Sequence, residues 1–357
     1  MRVLLNGLNA GNRSGTGRYI VELSRELLRR HHAEAVRILW PQEMSAPAPD
    51  YDSSLLRKSA SPLRRVLFEH LRMDSTARAI GADILHCPTG IGPLRTRLPV
   101  ALTVHDLCFL HHPEWFPRSR AWYYRAVLTA GIQRADCLIA DSHATADDLQ
   151  RLLHIPESRI HVVPLGVDAS FAPASPSEQK KVRQKYKVPE KYFLFVGTIE
   201  PRKNLERLCQ AWATIREDAP PLVIAGRHGW GGVTIPRDPH ILLPGHIDQN
   251  DLPALYSAAT AVVWPSLMEG FGLPPLEAMA CGAPVLTSNT SSLPEVVGDA
   301  GLLVDPLQTD ALADAMLRLA QDSDLRQQLR EKGMRRAAMF TWEATANKTI
   351  SAYETLL

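Results

Sequence analysis

Short apolar runs alternate with helix-patterned stretches along most of this chain, and that alternation constrains the fold more than any other feature. Strand-like runs at Val3–Asn6, Val36–Trp40, Ile84–Cys87, Val100–Val104, Cys137–Asp141 and His161–Val163 are separated by helical patterns such as Gly17–Arg30 and Ser119–Ile132. A Pro-, Ser- and Ala-rich segment, Pro164–Pro176, interrupts the pattern and reads as an interdomain linker. Alternation resumes at Tyr192–Gly197, Leu222–Ala225, Ile241–Leu243, Ala261–Trp264, Val285–Thr287 and Leu302–Val304. Strands interleaved with helices imply parallel sheets covered on both faces. The expectation is an α/β chain of two doubly wound, Rossmann-like domains, 1–168 and 169–341, because 357 residues exceed one ordinary core. Ligands of such sheets bind beyond the carboxyl ends of the strands.

Charge and cysteine usage narrow the partners. A net charge of +2 gives no strong attraction to nucleic acid. The cysteines Cys87, Cys108, Cys137, Cys209 and Cys281 are odd in number and lack a Cys-x-x-Cys, so they read as reduced thiols of a cytosolic protein. Met1–Asn6 reads as a first strand, not a signal peptide, and no apolar run approaches the roughly 18 residues that would span a bilayer.

The densest chemistry lies between Glu269 and Glu277. The run Ala261–Ser266 predicts a buried strand that delivers Glu269 to a loop, where Gly270 and Gly272 allow unusual dihedrals and close ligand approach. Pro274 and Pro275 suit a first helical turn, Gly282 suits its end, and Glu277 is expected in that first turn. Backbone N–H groups of Gly270, Phe271, Gly272 and Leu273 at a helix start attract phosphate, and carboxylates accept from sugar hydroxyls. The set suits a sugar joined to a diphosphate.

This segment resembles the signature of retaining glycosyltransferases of family 4 (group 1), whose architecture is GT-B: two Rossmann-like domains facing a central cleft. The resemblance covers nearly the whole chain. It implies that Glu269 contacts hydroxyls of the transferred sugar and Glu277 the nucleotide ribose. It also implies a C-terminal helix, 342–357, that crosses back to the N-terminal domain. The N-terminal domain would take the acceptor and the second domain the nucleoside diphosphate sugar, a co-substrate, with no cofactor and no metal.

Other segments fit that frame. Arg202 and Lys203 follow Gly197-Thr198-Ile199-Glu200-Pro201 at a predicted strand end, where two cations can neutralise a leaving diphosphate; many family members carry the same pair. Asn204 is expected to cap a helix from Leu205 to Arg216. The long loop Asn6–Tyr19 offers Gly15 and Gly17 to a phosphate; it lacks the third glycine and the strand-end acid of a dinucleotide site, and the resemblance turns it toward the donor diphosphate and the acceptor. Arg227, in a Gly-rich loop, is a candidate for a phosphate, and Ile247, by resemblance, for the base. The resemblance puts His105, at a strand end, beside the reacting sugar, with Asp106 orienting it or an acceptor hydroxyl. His111 and His112 match no helical metal motif.

Two Asp-x-Asp tripeptides, Asp50-Tyr51-Asp52 and Asp322-Ser323-Asp324, read as turn or capping residues, because neither ends a buried strand. The mix of aromatics and arginines in Trp115–Arg125 suits either a lipid interface or a core with solvated arginines. By resemblance the chain looks most like mannosyl- or rhamnosyltransferases of O-antigen or exopolysaccharide assembly. That implies a GDP-sugar donor, an undecaprenyl-linked glycan acceptor, and a cytoplasmic protein with peripheral contact at the inner membrane face. A sugar-nucleotide epimerase or hydrolase of the same architecture, and a silent subunit of an assembly complex, remain as alternatives.

Overall fold

The structure is a computed structural model and describes residues 1–12, 15–30, 35–47, 54–58, 61–93 and 95–357. Asp50-Tyr51-Asp52 lies outside them. The chain forms two compact units: Met1–His111 with Ser119–Gly166 and Thr341–Leu357, and His112–Arg118 with Val167–Phe340.

The first unit is built on a seven-stranded sheet of β1 (Val3–Asn6), β2 (Val36–Pro41), β3 (Leu55–Lys58), β4 (Ile84–Cys87), β5 (Val100–Val104), β6 (Cys137–Ala140) and β7 (Ile160–Val162). The spatial order is β3-β2-β1-β4-β5-β6-β7 and every pairing is parallel. Strand β3 escaped the sequence reading because Leu55-Leu56-Arg57-Lys58 carries two cations; as an edge strand it needs only one apolar end. The pattern across Ser119–Ile132 predicts one helix. The structure has one unbroken helical run there, Arg118–Tyr123 continuing through a π-helical turn at Tyr124–Leu128 into Thr129–Arg134.

The C-terminal helix, Trp342–Glu354, belongs to this first unit. The Thr341 hydroxyl caps it by accepting from the Ala344 N–H at 3.1 Å. Its Ala352 and Tyr353 complete an apolar cluster with Val3, Ile84, Ala101, Cys137, Ile139 and Val163.

The second unit holds a six-stranded parallel sheet of β8 (Phe193–Val196), β9 (Leu222–Ala225), β10 (Ile241–Gly245), β11 (Ala261–Trp264), β12 (Val285–Ser288) and β13 (Leu302–Val304), ordered β10-β9-β8-β11-β12-β13. Phe195 stacks on Trp264, with ring centroids 4.6 Å apart, in its core. The Asp322 carboxylate accepts from Leu325 N–H at 2.8 Å, so this Asp-x-Asp is a helix cap, as its polar turn suggested. Among the described residues no helix is long and apolar enough to cross a membrane.

Both sheets reverse their strand order once. The reversal falls between β1 and β4 in the first unit and between β8 and β11 in the second. Chains leaving neighbouring strands on opposite sides open a crevice there, which is where doubly wound sheets bind ligands.

Candidate active site

In the second unit the two strands flanking that reversal deliver the charged residues. The segment after β8 carries Glu200, Arg202 and Lys203; the segment after β11 carries Glu269. Arg202 donates through Nε to Glu200 Oε1 at 2.6 Å and through Nη1 to Glu269 Oε2 at 2.5 Å and the Met268 carbonyl at 3.2 Å. Lys203 Nζ donates to the other Glu269 oxygen, which also accepts from Trp264 Nε1 at 3.0 Å. The same ammonium lies 4.5 Å from the Trp264 ring centroid, a cation–π contact. Two carboxylates and two cations thus form one closed, charge-balanced cluster.

Its electrostatics follow from that geometry. Burial alone would raise the Glu269 carboxyl, but Arg202 and then Lys203 more than reverse this and hold its pKa at about 2. Burial and the neighbouring Arg202 push the Lys203 ammonium down. The Arg202 side chain is 23% exposed and that of Lys203 only 6%. Arg202 is therefore the more accessible of the two cations, and Lys203 holds Glu269 from beneath.

The loop after Glu269 is pinned from β12. The Ser292 hydroxyl reaches the Glu269 carbonyl at 3.0 Å and the Phe271 carbonyl at 2.7 Å, and Glu269 N–H donates to Ser291 Oγ at 3.1 Å. Gly272 has φ 113°, a conformation side chains resist, so it is the glycine this turn requires. The helix that follows spans Leu273–Ala280 with Pro274 and Pro275 in its first turn. It ends with the Ala283 and Gly282 N–H groups on the carbonyls of Ala278 and Met279. Because it begins at Leu273, one residue before the prolines expected to open it, Glu277 falls just past the first turn. There it is buried and accepts from the Tyr256 hydroxyl at 3.3 Å.

The remaining sequence candidates in this unit are more dispersed. Arg227 is exposed, on a loop that pairs with the segment after β8 through Ile199 N–H to Arg227 O at 2.9 Å. Ile247 is buried beyond β10. Asn204 does stand at the start of a helix, Leu205–Thr214, but its side chain makes no cap. It donates instead to the carbonyls of Pro265 (3.1 Å) and Pro306 (2.8 Å), tying neighbouring loops together.

In the first unit His105 follows β5 and is half-buried. Its Nδ1 lies 2.7 Å from Asp141 Oδ2, at the end of the adjacent β6. Asp106, expected to orient the imidazole or an acceptor hydroxyl, accepts through Oδ1 from the Cys108 N–H at 3.0 Å and closes a turn. The carboxylate bonded to the imidazole is Asp141. Burial disfavours the imidazolium, but the Asp141 charge and hydrogen bond more than offset this and raise the His105 pKa. His111 and His112 pair with Asp148 and Glu114, at 2.7 and 2.9 Å. Gly15 opens the helix Gly15–Arg30, and at Gly17 a Cβ would lie 1.7 Å from the Asn12 carbonyl, so the loop itself packs on that glycine.

Sequence reasoning missed Glu200, Trp264, Ser291, Ser292 and Asp141 as members of these sites. Glu200 and Trp264 adjoin the motifs on the chain, but strand-end position alone does not reveal hydrogen bonding. Asp141 could have been found as an acid ending the strand next to the one that ends at His105.

Comparisons with known proteins agree with this architecture. The family described as "Glycosyltransferase Family 4" matches residues 13–171, and "Glycosyl transferases group 1" matches residues 177–336. The chain is 34% identical over 368 aligned positions to the O-antigen chain mannosyltransferase B of Escherichia coli, covering 96% of each chain. It superposes on the sucrose-phosphate synthase of Thermosynechococcus elongatus with a TM-score of 0.75 at 22% identity, covering 100% of this chain and 99% of that one. It superposes on Anabaena Alr3699/HepE, solved with UDP and glucose, with a TM-score of 0.76 at 19% identity, covering 100% of both chains. With paired family matches along nearly its whole length and this strand order, the chain belongs to the family 4, group 1 glycosyltransferases of GT-B architecture.

Proposed function

We propose that this glycosyltransferase moves a hexose, mannose or D-rhamnose, with retention from a GDP-sugar to a growing, lipid-linked glycan in O-antigen or exopolysaccharide assembly. The observation that carries the reading is the full-length similarity to an O-antigen mannosyltransferase, joined to the intact Arg202–Lys203–Glu269 cluster.

The donor belongs to the second unit. Arg202 stabilises the diphosphate as the bond from the anomeric carbon to its oxygen breaks, without a metal ion. Glu269 receives the sugar hydroxyls, Glu277 the ribose, and the N–H groups of Gly270–Leu273 lie near the phosphates. Gly15 and Gly17 belong to the loop that meets the diphosphate and acceptor, Arg227 adds a further phosphate contact, and Ile247 lies at the base. The acceptor belongs to the first unit, with His105 beside the reacting sugar. The acceptor oxygen attacks from the face the diphosphate leaves, and its proton passes to the departing phosphate, so configuration is kept and GDP is released.

Trp122, 73% exposed, lies among the exposed Arg118, Arg120 and Arg125, which supports a peripheral seat on an anionic cytoplasmic membrane face. The testing experiment is a thermal-shift titration with GDP, UDP, ADP and TDP, each with magnesium and with EDTA. A GDP-specific rise that survives EDTA is expected. A UDP-specific rise would overturn the donor, and a rise abolished by EDTA would overturn metal independence.

A further inference from the structure

A buried polar seam runs through the first unit beneath His105. Tyr353 Oη, on the C-terminal helix, lies 2.6 Å from His86 Nδ1 on β4. His86 Nε2 lies 2.8 Å from Thr103 Oγ1 on β5, and that hydroxyl lies 2.9 Å from Tyr19 Oη on the helix Gly15–Arg30. All four residues are at most 1% exposed. The Tyr19 ring then meets the His105 imidazole edge to face, with centroids 5.1 Å apart and planes at 86°, and Trp342 flanks the same tyrosine at 6.3 Å.

Apolar residues of similar volume would fill this seam at no cost in stability, whereas each buried hydroxyl or imidazole must find a partner. A fully satisfied buried network fixes geometry. Both His86 nitrogens meet neutral hydroxyls, and burial together with the nearby His105 depresses its pKa to about 3. Of the two imidazoles, then, His105 is the one that takes a proton, because it alone has a carboxylate. Asp141 holds its ring by a hydrogen bond, and Tyr19 by its edge.

We propose that Tyr19, His86 and Tyr353 are positioning residues for the His105 imidazole, which makes the C-terminal helix part of the site. This rests on the reading that His105 acts beside the reacting sugar. The test compares Tyr353→Phe and His86→Gln in the wild-type protein and in a His105→Ala background, with GDP-mannose as donor. The ¹⁵N resonances of the His105 imidazole are followed in parallel. Removal of the single Tyr353 oxygen should lower kcat about 3–10-fold with donor KM unchanged, and should cost nothing further once His105 is gone. The His105 resonances should move in the same variant. An equal loss in both backgrounds would overturn the proposal, as would unmoved resonances. Should His86→Gln fail to fold, Tyr353→Phe carries the test alone. If His105→Ala itself keeps the wild-type rate, the reading of His105 as an acting residue fails, and the resonances alone decide whether the seam holds the ring.

Discussion

Beyond β8 and β11 the second unit buries charge: Glu200, Lys203 and Glu269 are each less than 10% exposed, and Arg202 closes the ion cluster. Beneath the end of β5 the first unit buries hydroxyls and a neutral imidazole, with one carboxylate, Asp141, at its rim. A site that must receive a dianionic group needs cations held ready, and cations in a low-dielectric interior need fixed counter-charges. A site that handles a neutral hydroxyl needs one well-aimed ring, which neutral hydrogen bonds can hold without strong fields.

The largest effect that would sharpen this contrast comes from Glu269→Ala. It leaves Arg202 and Lys203 without their shared partner, and transfer should fall about 10²–10³-fold. Stability should fall by about 3–5 kcal/mol, read by initial rates and urea unfolding. A cost no larger than that of Tyr353→Phe would erase the distinction. Next, Asp141→Asn should lower kcat at least about tenfold, and Asp106→Asn no more than about twofold, because only the former holds His105. Equal effects would return the orienting role to Asp106.

Titration should separate the two regions by sign. Glu269 titrates below its ordinary 4.5, so the stability it adds is complete above that value and drains as pH falls toward about 2, a span of about 3 kcal/mol. His105 titrates above its ordinary 6.5, so its share is complete below that value and is lost as pH rises through the raised one. Chemical denaturation of wild type against Glu269→Gln in acid, and against His105→Gln above neutrality, should give opposite slopes. The smallest effect is expected for Ser292→Ala, about 1 kcal/mol, because Ser291 still braces the Glu269 backbone. A loss several times larger would mean that the loop, not the ion cluster, holds the second-unit site together.

How much of each region was legible follows from its layout on the chain. The second-unit cluster is nearly contiguous: Glu200–Lys203 and Glu269–Glu277 are short segments whose glycines, prolines and flanking strands mark strand-to-helix junctions. The hydrogen-bonding roles of Glu200 and Trp264 stayed hidden, as did braces from a distant segment, Ser291 and Ser292. The placing of Glu277 in the first turn failed by one residue because the helix starts on the prolines' N-terminal side, at Leu273. The first-unit cluster joins residues 19, 86, 103, 105, 141 and 353, which no local pattern connects; strand order brings them together. Likewise the cation-bearing β3 was lost to a reading that seeks apolar runs.

The chain's route through its two units bears on how each resists truncation. Ala352 and Tyr353 seal the core around Val3, Ile84 and Ile139, so that core lacks a wall whenever the segment Trp342–Glu354 is undocked. The portion Val167–Phe340 draws no residue of its core from that helix. A chain cut before Trp342 should therefore show a protease-resistant second unit attached to an open first one.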